Sequence, residues 1–281
     1  MVEYLAGNRI RGLSSERLVP EGFATGGDTI GTYTESGTAY KYHEFSTTGS
    51  SANFVITSGI TSVEYLIVAG GGGGGDGGPG SSYGVHSAGG GAGGLLNGTS
   101  SVSAGTYNIV VGAGGASYTQ GNDSSFNSLT ALGGGKGATN YSGGATSGGS
   151  GGGGSGTNTG TSGQGNAGYG SISGGGGGGK GSASTSSAGG SGFVSTISGG
   201  TSTTYSEGGS GGGATQKTTK GSGGRGGIGQ QVGPLGGLEG IVVLRYISNS
   251  NLLPNVQDGS IFYETDTNKS YVLSSGTWTE L

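Results

Sequence analysis

Residues 65–75 read YLIVAGGGGGG. An apolar run with the composition of a buried strand passes without a break into six glycines, Gly70–Gly75. The second half has no side chains with which to build a core. Nor does it favour a helix, since glycine costs about 1 kcal/mol per helical position relative to alanine. The same passage recurs in reverse at 236–247, GGLEGIVVLRYI, where glycines lead into a strand. Between them GTYNIVVGAGG, at 105–115, reads as a third strand feeding a glycine tract.

Glycine is confined to the region these strands frame. Of the 77 glycines in 281 residues, 66 lie in 70–240, nine precede it and two follow. Charged residues make up 9% of the chain, against about 25% in an ordinary soluble domain. Leu, Ile, Val and Phe total 48 of 281, or 17%, below the roughly 20% at which a conventional core becomes doubtful. An ordinary enzyme fold is thereby disfavoured. Collagen is excluded, because glycine does not recur strictly every third residue and only four prolines are present.

A flexible Gly/Ser spacer is one remaining reading. The flanking strands, and the aromatic or aliphatic residue in each polar segment between tracts, favour an ordered one. Polyglycine II has three residues per turn and no internal hydrogen bonds. Without Cβ atoms such helices pack nearly in contact, and their N–H and C=O groups pair between neighbours. The expected fold is mainly β and irregular with almost no α-helix. Its glycine-rich middle is packed polyglycine II helices framed by β-strands, the runner-up being a β-sandwich or β-solenoid with glycine-rich turns. The composition shifts divide the chain into an N-terminal β-rich attachment or assembly region at 1–62, the glycine-rich domain at 63–247 and a C-terminal β-meander at 248–281.

Motifs of catalysis and cofactor binding are discounted one by one. The tract Gly174–Gly179 with Lys180 mimics a phosphate loop, but Gly181 stands where Ser or Thr is needed. Gly71–Asp76 fits half of a calcium-binding nonapeptide that occurs once. One GGRGG around Arg225, in a chain of net charge −4, is no nucleic-acid footprint. The sequons opened by Asn97, Asn122, Asn140 and Asn268 are expected by chance in Ser/Thr-rich sequence. His43 and His86 have no local partner pattern, and Glu264 and Asp266 read as a solvated turn. There is no cysteine, no run of eighteen apolar residues and no signal-like segment in MVEYLAGNRIRGLSSERLVP. The expectation is a non-enzymatic protein without cofactor or metal, without nucleic acid as partner, and neither inserted in a membrane nor exported by a signal.

Recognition, if present, belongs to the polar islands 81–88, 117–128, 138–147, 157–173, 182–198 and 201–207. They carry Tyr83, His86, Tyr118, Tyr141, Tyr169 and Tyr205 among Ser, Thr and Asn. Tyrosine offers large contact area at low entropic cost, as in antibody loops. The same rings could equally pack over glycine helices and serve as core. Phe126 and Phe193, beside Leu129 and Val194, read as structural.

The words YLIVAGGGGGG, GTYNIVVGAGG, NDSSFNSLTALGGGKG (122–137) and GGRGGIGQ…GGLEGIVVLRYI (223–247) resemble the glycine-rich domain of phage tail-fibre and tail-tip adhesins. The segment DGSIFYETDTNKSYVLSSGTWTEL at 258–281 resembles a short β-meander of virion proteins, with strands at Ile261–Glu264 and Ser270–Leu273. The resemblance implies a sandwich of polyglycine II helices with receptor-contacting loops at its tip. It also implies a homotrimer, other virion proteins and a host surface protein or glycan as partners, and a place in the virion. The alternative is a cellular extracellular glycine-rich fibre or matrix protein that polymerises through its terminal strands.

Overall fold

The computed structural model describes residues 3–5, 9–12, 23–49, 51–76, 87–139, 144–155, 158–171, 174–228, 232–248, 259–274 and 277–281. Among them there is no α-helix. The strands are β1 Glu3–Leu5, β2 Arg9–Gly12, β3 Phe23–Thr25, β4 Thr29–Glu35, β5 Thr38–Phe45, β6 Ser51–Ser58 and β7 Ser62–Val68. Then come β8 Leu95–Ser101, β9 Gly105–Val110, β10 Ser124–Phe126, β11 Leu129–Ala131, β12 Phe193–Ser195 and β13 Thr203–Tyr205. The last are β14 Ile241–Ile247, β15 Ile261–Glu264, β16 Lys269–Ser274 and β17 Thr277–Glu280.

The two most apolar strands, β7 and β14, pair antiparallel at the centre of a sheet ordered β4-β5-β14-β7-β8, with Val243 opposite Leu66. Both are buried on both faces, which is why their sequences run apolar without strict alternation. Val63, Ile67, Val242, Leu244 and Tyr246 face a second sheet, β11-β10-β9-β6-β3, and meet Phe54, Ile56, Ile109 and Phe126 there. Leu66, Val68, Ile241 and Val243 face the other way, onto Ile197, Tyr205 and Phe193 of the β12–β13 hairpin region. The framing strands thus form a β-sandwich, with a hairpin capping its outer face.

The glycine tracts are the continuation of these strands. Beyond β7, Gly70 and Gly73 donate to Asn122 and Thr119 (3.0 and 2.9 Å). Gly71 and Gly74 donate to Leu238 and Leu235 (2.9 and 3.0 Å), and Gly72 and Gly75 to Gly91 and Ala88 (2.9 and 2.8 Å). Each partner chain is met at every third residue, the repeat of polyglycine II. Carbonyls follow the same rule: Gly70 and Gly73 accept from Gly134 and Gly137, Gly71 and Gly74 from Gly115 and Tyr118, Gly72 and Gly75 from Gly224 and Gly227. One straight tract is therefore laced to three segments by donation and to three others by acceptance. The tract 87–94 repeats the scheme, donating to 221–227, 132–138 and 175–178 and accepting from 69–75, 150–153 and 209–212.

Glycine is required here by space. None of Gly70–Gly75 adopts a left-handed φ, but a Cβ on any of them would lie 1.9 to 2.2 Å from a carbonyl oxygen of a neighbouring segment. The Cα–H groups occupy that approach instead, contacts worth about 0.5–1 kcal/mol each. At the bundle's border, side chains stand in for missing peptide groups. Ser124 Oγ accepts from Gly112 N and donates to Val68 O, both at 2.8 Å. Gln164 Oε1 accepts from Leu132 N (2.7 Å) while its Nε2 donates to Thr130 O (3.1 Å).

The boundary expected at residue 62 is corrected by this topology. Strands β3 to β6 are parts of the sandwich, because β5 pairs with β14 and β6 with β9. Phe45, Phe54 and Ile56 bury their side chains in the shared core. Of the described strands in 1–62, only β1 and β2 stand apart from the sandwich sheets. They join the C-terminal meander β15–β16–β17 in one sheet, β2 running parallel to β15. Phe262 and Trp278 pack there with ring centroids 6.0 Å apart.

Candidate recognition surface

The glycine bundle has two ends. At one, its tracts enter the sheets through Ala69, Gly94, Val111 and Gly240. At the other, Gly75, Ala88, Ala138, Gly153 and Gly227 lie side by side. The bonds that join them are Gly75 N to Ala88 O (2.8 Å), Ala88 N to Ala138 O (3.3 Å), Ala138 N to Gly153 O (2.9 Å) and Gly227 N to Gly75 O (3.0 Å). Chain segments leave or re-enter this layer at Asp76, Ser87, Thr139, Ser155 and Ile228. A rigid backbone lattice thus sets the starting points of several polar segments on one surface, the arrangement a binding site on loops requires.

Two of the tyrosines belong to this end. Tyr118, half-buried and at φ 69°, donates its N–H to Gly74 O at 3.2 Å. Tyr169 is 41% exposed and donates its N–H to Gly176 O at 2.8 Å, while its own carbonyl accepts from Gly154 N at 3.0 Å. Tyr83, His86 and Tyr141 lie outside the described residues. Tyr205 is placed elsewhere, which corrects its assignment to a displayed loop. It stands opposite Phe193 in the β12–β13 hairpin, 2% exposed, and its ring fills the outer core against the β7–β14 pair. Burial also raises the pKa of its hydroxyl. Phe126, read as structural, is fully buried between the sheets.

A polar cluster on the sheet was not anticipated. Arg245 of β14 lies opposite Glu64 of β7 and Tyr42 of β5. Its Nη1 reaches Glu35 Oε2 at 2.7 Å and Tyr33 OH, and its Nη2 reaches Glu64 Oε2 at 2.8 Å. The guanidinium also stacks over Tyr40, 4.2 Å from the ring centroid. Burial opposes its charge, but the bonds to Tyr33, Glu64 and Glu35 outweigh that and hold it ionised more firmly than an ordinary arginine. A signal was present in the sequence: Glu64 and Arg245 are the charged residues inside the apolar runs VEYLIV and IVVLRYI. Among the described residues, no group of three or more His, Asp and Glu could hold a metal ion. No helix among them is long and apolar enough to cross a membrane.

Residues 46–247, which is 202 of 281, match the model of a family described as a glycine-rich domain. The chain belongs to this family. The match contains β6 to β14 and every tract of the bundle, so the glycine-rich domain comprises strands and tracts together. It begins directly after β5; β3, β4 and β5 precede it and belong to the same two sheets. No match is found among curated proteins.

Proposed function

We propose that this protein is a non-enzymatic virion structural protein, a component of a tail fibre, tail tip or capsid-projecting fibre. Its role is to attach to a host surface protein or glycan through the segments at the far end of the glycine bundle. The observation that supports the reading is the layer formed by Gly75, Ala88, Ala138, Gly153 and Gly227, at which several polar segments begin or end without needing side chains beneath them. Such a scaffold separates stability, held in backbone pairing, from recognition, free to vary in the segments between tracts. A homotrimer, assembled in the host cytoplasm and exposed after release, is the form we assign to it.

The test is the position of host-range substitutions in the virus that encodes the protein. They are expected within 77–86, 139–143, 155–157, 169–173 and 229–231 and at Tyr118. Substitutions mapping mainly to residues 1–62 would refute the site. Unaided growth of the purified protein into long filaments would instead favour the extracellular fibre.

A further inference from the structure

The outer face of the β4-β5-β14-β7-β8 sheet carries a second candidate site, remote from the end of the bundle. Two cavities meet at Glu64, Thr99 and Arg245. One, of about 330 Å³, extends toward the β6–β7 turn at Gly59–Ser62 and Ile247. The other, of about 160 Å³, extends under the hairpin region toward Asn97, Phe193 and Ser195. Together they make one groove, of the size at which small-molecule sites begin, roughly 300–1,000 Å³.

The groove is chemically specific. Its floor is held rigid, since Arg245 is fixed by Tyr33, Glu35 and Glu64, and Glu35 is fixed further by Thr196 Oγ1 at 2.5 Å. Glu64 spends one oxygen, Oε2, on Arg245 Nε and Nη2 (3.1 and 2.8 Å). Its Oε1, the Asn97 amide and the Thr99 hydroxyl carry no hydrogen bond to a described residue. An acceptor, an amide with both functions and a hydroxyl therefore line the groove, with the partly buried Phe193 ring at one end. The single arginine is already matched by two carboxylates, so the cluster carries a net negative charge and offers no free cation to an anionic ligand.

We propose that this groove binds a neutral oligosaccharide, two adjoining sugar units lying across the Glu64–Thr99–Arg245 junction. Hydroxyl groups of a saccharide supply both donors and acceptors to Glu64, Asn97 and Thr99, while the apolar face of a pyranose ring matches Phe193. The inference does not rest on the virion reading, and the two fail in different experiments: that one in host-range mapping, this one in ligand titration.

The full chain, labelled with nitrogen-15, is titrated with methyl glycosides of glucose, galactose, mannose and N-acetylglucosamine, and with sialic acid. At least one neutral glycoside should move the amide resonances of Glu64, Asn97, Thr99 and Ser195 saturably, with Kd on the order of millimolar. Asn97→Ala, at an exposed strand position, should weaken that binding by about tenfold, equivalent to about 1.4 kcal/mol, without changing the melting temperature. Glu64→Gln should weaken it as well, and Tyr169→Ala should leave it unchanged. The proposal is overturned if no neutral glycoside shifts these resonances, if sialic acid is the ligand bound there, or if binding survives Asn97→Ala.

Discussion

Replacing Gly90 by alanine tests whether the bundle is held by backbone packing. Gly90 lies in the middle of the 87–94 tract, donates to Gly224 O at 2.8 Å and accepts from Gly209 N at 2.9 Å. A Cβ at this position would sit 2.0 Å from Gly72 O and 2.6 Å from Gly72 C. A carbon–oxygen contact of the Cα–H···O kind needs about 3.3–3.6 Å, so the two tracts must separate by about 1.3 Å or more. Overpacking of this sort costs about 1–3 kcal/mol. Two hydrogen bonds stretched or orphaned in a buried lattice add about 1–3 kcal/mol each. The expected loss is thus about 3–9 kcal/mol out of a total stability of about 5–15 kcal/mol.

Gly233→Ala is the control. No described atom lies within 4 Å of a Cβ there, and its φ is not left-handed. Alanine at that position should be neutral or stabilise by about 0.5 kcal/mol through the unfolded chain. Urea unfolding of both variants, followed by calorimetry, separates the outcomes. A cost below about 1 kcal/mol for Gly90→Ala would mean that the tracts are not in contact in solution and would refute the packing argument.

Three further outcomes follow from the same geometry. Tyr205→Ala should destabilise by about 3 kcal/mol or more, as a large-to-small change in a core, whereas Tyr169→Ala at the surface should stay within about 0.5 kcal/mol while lowering attachment to host cells. His43 is fully buried, with Nδ1 2.6 Å from Gly26 O, and burial lowers its pKa below the ordinary 6.5. The unfolded chain therefore takes up a proton that the native one does not. Stability should be constant above pH 6.5 and fall as pH drops below it, by at most about 1.4 kcal/mol per unit, and His43→Gln should flatten that slope between pH 6.5 and 5 in thermal melts. Gln164→Ala, which removes partners of Leu132 N and Thr130 O, should cost about 0.5–1.5 kcal/mol per bond and speed hydrogen exchange at the Leu132 amide.

The legible parts of the fold were those whose meaning is local. The apolar runs at 63–68 and 241–247 could only be buried strands, and six glycines in succession could form a tract only by packing against others. The fate of β3 to β6 was not legible, because ANFVI and KYHEF have the half-polar composition of any exposed strand. The inner two, β5 and β6, are placed only by β14 and β9, which pair with them from a long way down the chain. Tyr205 misled for a related reason: in TSTTYSE it sits among loop-like residues, and its burial depends on Phe193 arriving opposite it. The Arg245 cluster combines Glu35, Glu64 and Arg245 from three strands, so its charges could be noticed singly but their meeting could not. At the far end of the bundle, Tyr118 and Tyr169 were legible as candidates because a tyrosine between glycine tracts must either cover one or point away.

The repeat of three in the hydrogen bonds of Gly70–Gly75 also sets how the gene can change. Inserting one codon into a tract turns every residue beyond it by about a third of a revolution, so each N–H then addresses the wrong neighbour. Inserting three restores the facing of all later residues and pushes the surplus turn, about 9 Å long, out into the segment that follows. Slippage in a glycine-coding repeat is therefore filtered by threes within tracts and left unfiltered between them. Length variation among related genes should carry that imprint, with indels of any size in the polar segments and indels in multiples of three residues where glycine is continuous.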